Sequence, residues 1–238
     1  MGRFPNIAAS KAKTGQAKGK LYGMYAKEIY LAAKNGGVTP EGNHSLKRLI
    51  EKAKKEQVPS DVIKRAIDKV SSGVGENYET LTYEVFGPSG STFIVECLTD
   101  NVNRSVSDVR AVINKCHIKL GGMGSVMYNY DHLAVIGFKG LSEDETINAL
   151  IENDVDFIDM EKDNDMIIIY ANPSDLISVK EAISNKIKNI EFDIDEITYL
   201  AKEKVELNKE DMEVFNKALD LLNAVDDVSS VYHNVKID

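Results

Sequence analysis

The side chains of this sequence with the clearest chemical use are basic, and they concentrate near its beginning. Residues 1–70 contain fifteen Lys and Arg against six Asp and Glu, whereas residues 71–238 contain fourteen against thirty-two. The two parts therefore carry net charges of +9 and −18, which sum to the −9 of the whole chain. Because clustered lysines and arginines bind phosphates, one cationic end on an acidic protein indicates a polyanionic partner, either nucleic acid or the ribosome.

The candidate phosphate contacts belong to an N-terminal arm and to three predicted helices. Residues 1–20 have lysines but no acid and no apolar stripe, which indicates a mobile or loosely packed arm. Any single lysine is better explained as a solvated surface residue, so it is the clustering that points to a site. Such contacts give affinity without reading the base sequence. The candidates in this end of the chain are Lys11, Lys13, Lys18, Lys20, Lys27, Lys47, Arg48, Lys52, Lys55, Lys64 and Arg65.

Three tyrosines in the first predicted helix are a second candidate feature. Tyr22, Tyr25 and Tyr30 could stack on nucleic-acid bases, as aromatic side chains do in single-strand binding proteins. Their near-helical spacing beside Leu21 and Ile29 favours packing in a core instead.

No set of residues indicates catalysis. The segment Thr14–Lys20 resembles a phosphate loop, but it is one residue short, and Leu21 stands where a hydroxyl must reach magnesium. The glycines at 121, 122 and 124 lack the strand-turn-helix context of a dinucleotide site. The histidines never pair at metal-ligand spacing, and we expect each at a surface or an interface. We therefore expect no enzymatic activity, no metal, no cofactor and no small-molecule substrate. The histidines are His44, His117, His132 and His233.

Helix start and stop signals predict that the first part of the chain is helical. Helices are expected over Lys20–Asn35, ending at two glycines, over Asn43–Gln57, and from Ser60 onward. Beyond the linker at residues 71–75 the pattern alternates. It predicts strands at Thr80–Phe86, Ser91–Leu98 and Ser125–Tyr130, a tight turn at Gly87–Gly90, and a helix following Asp100–Arg104.

Residues 132–200 repeat the order of a ferredoxin-like sandwich, β-α-β-β-α-β. The helix from Ser142 begins with a capping box that includes Glu145. The central strand, Met166–Tyr170, is aliphatic rather than aromatic, so we do not assign to it the base stacking of RNA-recognition motifs. The remaining predicted elements are strands Leu133–Phe138, Val155–Met160, Met166–Ala171 and Ile190–Tyr199 and helices Ser142–Asn153 and Pro173–Lys188.

The last residues predict a helix from Asn208 and a strand at Val228–Asn234, which together are too small to fold alone. Added to the strands and helix of residues 80–130, they complete a second sandwich. We therefore predict an α+β protein of three domains: a basic helical bundle (1–78), a middle α/β sandwich domain (79–131 with 205–238), and a ferredoxin-like domain (132–204) inserted into it.

The composition indicates the cell compartment in which the protein works. Cys97 and Cys116 fall in apolar segments without a Cys-x-x-Cys pattern, which favours buried free thiols over a disulfide. No apolar run approaches the roughly 18–20 residues that span a bilayer. The first residues lack the apolar core of a signal peptide. We expect a cytoplasmic protein without a membrane partner.

Several segments together resemble the YebC family of bacterial proteins, whose mitochondrial members are translational activators of cytochrome oxidase subunit I. The sequence is most similar to the YeeN subgroup. These segments follow the family order across nearly the whole chain. They are Met1-Gly2-Arg3 with Asn6-Ile7, Lys27-Glu28-Ile29-Tyr30, Ala32-Ala33-Lys34, Val58-Pro59, Ile67-Asp68-Lys69, Tyr83-Glu84, Phe86-Gly87-Pro88-Ser89-Gly90, Thr99-Asp100-Asn101-Val102-Asn103-Arg104, Gly124-Ser125-Val126 and Val231-Tyr232-His233-Asn234.

The resemblance implies three domains and no catalysis or cofactor. Family members are usually described as probable DNA-binding transcriptional regulators, and others act as ribosome-associated translation factors, including on proline-rich stalls. The family's turn falls on Phe86, Gly87, Pro88 and Gly90. Its polar loop falls on residues 100–104, which makes Arg104 a candidate phosphate or RNA contact, while capping the following helix is an equally good structural role for Asn101 and Asn103.

One segment departs from the family. Where relatives have Asn-Gly-Gly-Asn, this chain has Cys116-His117-Ile118-Lys119. Losing two glycines removes backbone freedom, so a close approach of nucleic acid to this loop is not expected here.

Two hypotheses of different classes follow. The first is a non-enzymatic regulator of gene expression that binds nucleic acid through residues 1–70, as a DNA-binding transcriptional regulator or, alternatively, as a translation factor on ribosomal RNA. The second is a protein-interaction scaffold whose acidic domains dock a basic partner. Reversing the charges of Lys47, Arg48, Lys64 and Arg65 separates the two.

Overall fold

A computed structural model describes residues 18–73 and 75–237 of the chain. Over these ranges the fold is α+β, with seven α-helices and two four-stranded sheets, which confirms the predicted class. The expected arm lies mostly outside the described residues, and Lys18–Lys20 form the first turn of a helix.

The helical segment consists of three helices, as predicted. They are α1 (Lys18–Gly36), α2 (His44–Lys55) and α3 (Ser60–Ser71). Asn43 caps α2 by accepting a hydrogen bond from the N–H of Leu46 at 3.0 Å. Apolar residues at helical spacing form one shared core, in which Ile29, Leu46 and Ala53 are fully buried. The charged positions of α2 and α3 are thereby left on the outside.

The first sheet has the strand order β3-β1-β2-β8. Strands β1 and β2 form a hairpin in full antiparallel register, from Glu79 opposite Thr99 to Phe86 opposite Thr92. The elements are β1 (Glu79–Phe86), β2 (Thr92–Thr99), α4 (Val102–Lys115), β3 (Lys119–Leu120), α7 (Lys209–Ala224) and β8 (Val228–His233).

The second sheet has the order β5-β6-β4-β7, which is the strand order expected of a ferredoxin-like sandwich. The strand pairs β4–β6, β4–β7 and β5–β6 are antiparallel. Alternate residues of β4 face opposite sides, so Ala134, Ile136 and Phe138 join one core cluster while Leu133 and Val135 join another. The elements are β4 (Tyr130–Lys139), α5 (Glu143–Glu152), β5 (Asp159–Asp163), β6 (Met166–Ala171), α6 (Leu176–Lys186) and β7 (Phe192–Ala201).

Two predicted strands are wrong in position. Residues 125–129 are not a strand, because the buried carboxylate of Glu84 accepts the N–H groups of Gly124 and Val126 at 2.5 Å and holds this segment as a loop. The predicted strand Val155–Met160 starts later, at Asp159. Val155 and Phe157 are turned into the core instead, after a left-handed residue at Asp154 (φ 53°).

The described residues form two compact units. One comprises residues 127–206 and 232–237, and the other comprises the described parts of 12–126 together with 207–231. The helical segment thus groups with most of the first sheet. The finer division into three domains stays a prediction. Within the described ranges, no helix combines the length and apolarity needed to cross a bilayer.

Candidate nucleic-acid interface

The predicted cations divide according to what surrounds them. Lys11 and Lys13 lie outside the described residues. Lys18 is exposed at the beginning of α1. On α2 and α3, Lys47 and Lys64 are exposed and form no ion pair with any described residue, and the same holds for Lys54, which the sequence analysis did not single out. These three lysines, Lys47, Lys54 and Lys64, are called the open lysines below.

Other candidates on the same two helices have partners. Arg48, Lys52 and Lys55 each interact with another group of the chain. Arg65 pairs with Asp61 one turn earlier on α3, and both side chains remain about 70% exposed (72% and 70%). An exposed pair of this kind contributes only about 0.2–1 kcal/mol, so Arg65 can exchange Asp61 for another anion at little cost.

Lys20 is used inside the protein. Its Nζ donates to the backbone carbonyls of Asn223 and Val225, the latter at 2.5 Å, where α7 ends. The last carbonyls of a helix lack partners within the helix and carry partial negative charge, which a lysine satisfies. Burial lowers the pKa of Lys20, against the attraction of Asp226.

Lys27 and Arg104 meet at one buried carboxylate, that of Asp227, which is 3% exposed. Lys27 Nζ lies 2.8 Å from Oδ1, and the Arg104 guanidinium binds the carboxylate through Nε at 3.0 Å and Nη2 at 2.8 Å. The Thr99 hydroxyl donates a further hydrogen bond to the same carboxylate at 2.9 Å. Lys27 also donates to the carbonyl of Leu98. We call this group, Lys27, Thr99, Arg104 and Asp227, the Asp227 cluster.

The Asp227 cluster keeps its carboxylate ionised. Burial by itself would raise the pKa of Asp227, but the hydrogen bonds from Lys27, Arg104 and Thr99 outweigh it and hold the pKa below its ordinary value. Arg104 additionally binds Asp100 at 2.7 Å. Its role as a phosphate contact stays a prediction, and its guanidinium is already engaged by two carboxylates.

The family-motif loops have structural roles in the fold. Asn101 caps α4 by accepting the N–H of Arg104 at 3.1 Å, whereas Asn103 is exposed within the helix. In the turn Phe86–Gly90, Gly87 must lack a side chain because a Cβ there would lie 2.4 Å from Ser91 Oγ. Pro88 begins the turn, and Gly90 has φ 78°.

The tyrosines of α1 are mainly core residues. Tyr25 and Tyr30 are 2% and 3% exposed, and the Tyr30 hydroxyl donates to the carbonyl of Glu76 and accepts its N–H. Tyr22 is only half-buried. Of the three, it has the largest surface left for stacking.

Both cysteines and one of the histidines are buried. Cys97 and Cys116 are buried free thiols, as predicted, and burial raises the pKa of Cys97 to about 11. The expected surface or interface position does not fit His233, which is 1% exposed and whose Nδ1 accepts the N–H of Val235. Among the described residues, no group of three or more His, Cys, Asp or Glu could hold a metal ion.

The acidic partner of two candidate cations, Asp227, was not predicted. Asp227 precedes a strand and follows another aspartate, and little in that pattern distinguishes it from a solvated turn acid. The one available signal was its position directly before the predicted strand that begins at Val228.

Comparison with known proteins gives the family. Residues 2–73 match the model of the TACO1/YebC protein N-terminal domain, and residues 78–235 match that of the TACO1/YebC second and third domain. A probable transcriptional regulatory protein of Alteromonas mediterranea is 45% identical over 98% of both chains. Another, of Photobacterium profundum, is 46% identical over 100% of this chain and 99% of its own.

The fold has a solved counterpart. The crystal structure of a conserved hypothetical protein from Aquifex aeolicus superposes with a TM-score of 0.75 at 33% identity, covering 98% of this chain and 96% of the other. The subgroup suggested by the sequence stays a prediction. The family resemblance is confirmed: this chain belongs to the TACO1/YebC family.

Proposed function

We propose that this protein is a non-enzymatic regulator of gene expression that binds nucleic acid through phosphate contacts on α2 and α3. The observation that carries the proposal is the set of open lysines, which are exposed and unpaired among the described residues. Relatives named probable transcriptional regulatory protein support regulation, and DNA is the target that this name favours. The proposed site of action is the cytoplasm, where bacterial DNA and ribosomes both are.

The open lysines act on phosphate charge rather than on base sequence. Each lysine that neutralises a duplex phosphate releases counterions, so three contacts give a dependence of log K on log salt with a slope of about −2.7. The acidic remainder of the chain repels polyanions. A phosphate-rich partner is therefore directed to the basic part of the chain.

A second candidate is a ribosome-associated translation factor that binds ribosomal RNA and relieves stalls such as those at proline-rich sequences. One observation favours it. Neither α2 nor α3 contains Asn or Gln, the amides that read adenine in the major groove, so these helices lack part of a base-reading set. Phosphate contact without base reading suits structured RNA at least as well as a DNA operator.

The test is sedimentation of native lysate through a density gradient after treatment with RNase, DNase or neither. Co-migration with ribosomes that RNase abolishes supports the translation factor, and co-migration with chromosomal DNA that DNase abolishes supports the transcriptional regulator. Migration alone under every condition overturns both.

A charge-matched pair of variants makes this test specific to the surface. Lys47→Glu, Lys54→Glu and Lys64→Glu together should abolish co-migration. The control triple, Lys162→Glu, Lys188→Glu and Lys209→Glu, changes the net charge by the same amount at exposed lysines elsewhere. If the first triple migrates like the wild type, the protein-interaction scaffold is favoured instead.

A further inference from the structure

An open cleft of about 430 Å³ is lined by residues of α1 and α3 and by Glu76 and Tyr78. Its size falls in the range of ordinary ligand sites. One face of each helix lines it, with Tyr22 and Gly23 from α1 and Arg65 and Lys69 from α3. All of these residues belong to the same compact unit.

Aromatic rings form the walls of the cleft. Tyr78 and Tyr30 contact each other edge to face, with ring centroids 5.6 Å apart. Tyr30 is buried and fixed by its hydrogen bonds to Glu76, and the Tyr78 hydroxyl donates to the Glu76 carboxylate. Tyr22 and Tyr78 are half-buried, so neither residue is sealed in the core. A tyrosine ring held in place as that of Tyr78 is suits a flat aromatic guest.

One position that lines the cleft, Gly23, lacks a side chain, and we call this position the floor. Gly23 lies inside α1, where glycine is unfavourable compared with alanine. A Cβ added there would meet no heavy atom within 4 Å, so no contact of the described chain requires the glycine. Its effect is to leave free space beside Tyr22.

Cations outnumber carboxylates around the cleft. Among the described residues, Lys27, Arg65 and Lys69 line it against one carboxylate, that of Glu76. Lys27 is held by Asp227 and Lys69 by Glu76, whereas the one ion pair of Arg65 with a described residue is to the exposed Asp61, and Arg65 can turn to another anion. The site therefore combines aromatic walls, an open floor and one readily available guanidinium.

We propose that this cleft takes one unpaired nucleotide of a single strand, with its base against Tyr22 and Tyr78 above Gly23 and its phosphate on Arg65. Aromatic side chains stack on any base, and arginine binds phosphate through paired N–H donors. The inference rests on the proposed function, since it requires a nucleic-acid partner, and it adds that this partner has an unstacked base at the contact.

The experiment measures binding of the full-length protein to fluorescent oligonucleotides by anisotropy. The probes are a ten-nucleotide single-stranded RNA, the same sequence as DNA, and the corresponding duplexes. Gly23→Leu fills the floor, and Gly19→Leu is its control because it lies in the same helix, its Cβ also meets nothing, and it does not line the cleft. Gly23→Leu should weaken single-strand binding about tenfold and leave duplex binding unchanged, since stacking of one base is lost. Gly19→Leu should bind like the wild type.

Equal single-strand affinity of Gly23→Leu and the wild type overturns the cleft while leaving the proposed function intact. Absence of binding by the wild type to any probe overturns both. If Gly23→Leu fails to fold, Tyr78→Phe and Tyr78→Leu replace it. Tyr78→Phe should keep the affinity because it keeps the ring, and Tyr78→Leu should lose it about tenfold. If a glutamate decamer competes for the protein as well as the single-stranded probe does, the cleft is a site for acidic peptides, and the proposed nucleotide site is overturned. Comparison of the RNA and DNA probes identifies the source of the strand.

Discussion

Two groups of cations that look alike in the sequence have opposite surroundings in the fold. The open lysines on α2 and α3 point outward and form no ion pair among the described residues. In the Asp227 cluster, Lys27 and Arg104 compensate a buried carboxylate. Because an uncompensated buried charge is costly, the second group is committed to holding the chain together. A count of basic residues therefore overestimates the surface available to a partner.

The largest expected effect is the loss of the carboxylate in the Asp227 cluster. Asp227→Asn keeps the shape but leaves Lys27 and Arg104 without their shared anion. The free energy of unfolding should fall by about 2–3 kcal/mol, less than the roughly 3–5 kcal/mol of a fully buried pair, because the Arg104 side chain is 44% exposed. Denaturant titration measures this change.

The matched control for this variant is Asp220→Asn, which removes an exposed carboxylate of α7. It should change the free energy of unfolding by no more than about 0.5 kcal/mol. Equal effects of the two substitutions would mean that the Asp227 cluster contributes nothing beyond ordinary surface charge.

Low pH should remove the contribution of the Asp227 carboxylate to the free energy of unfolding. The pKa of Asp227 is lowered in the folded state, so its stabilisation is fully present above the unfolded value near 3.8 and is lost as pH falls through the lower folded pKa. The difference in unfolding free energy between the wild type and Asp227→Asn should therefore be constant from pH 7 to about pH 5 and shrink below about pH 4. A difference that widens in acid would contradict the assigned direction of the shift.

A smaller effect concerns the helix that carries Arg104. Asn101 caps α4, so Asn101→Ala should lower the free energy of unfolding by about 1 kcal/mol. Asn103→Ala, two residues later and exposed inside the helix, should change it by less than about 0.5 kcal/mol. Thermal unfolding of both variants gives the comparison. Both asparagines were cap candidates in the sequence, and equal losses would show that the Asn101 cap stabilises the helix no more than the exposed Asn103 does.

Much of the fold was predictable because local signals agree with the tertiary packing. The capping box at Ser142 and Glu145 forms as expected, and strands β4, β5, β6 and β7 give the predicted ferredoxin-like order even though β5 begins later than predicted. The failures arose where a distant side chain overrides the local pattern. Glu84 is forty residues from Gly124, yet its carboxylate takes the backbone donors that a strand at 125–129 would have used.

The candidate site was less predictable, for the same physical reason. Helical spacing placed Lys47 and Lys64 on the outside of α2 and α3 correctly, since only the three-helix core is needed for that inference. The same reasoning could not find the partners of Lys20 or Lys27, which lie about two hundred residues away in the chain. Long-range pairing of charges leaves no periodic trace in a sequence.

The smallest expected effect tests the open lysines one at a time. Lys64→Gln should leave the free energy of unfolding within about 0.5 kcal/mol of the wild type, because its ammonium contacts no described partner. In the same variant the slope of log K against log salt, measured on a DNA or RNA duplex, should become less negative by about 0.9, since one phosphate contact is lost. Lys162→Gln, at an exposed lysine of β5, should change neither quantity. A different outcome would contradict this assignment: a lower free energy of unfolding in Lys64→Gln with an unchanged salt slope. Lys64 would then be a structural cation, as Lys27 and Arg104 are, and would not belong to the proposed binding surface.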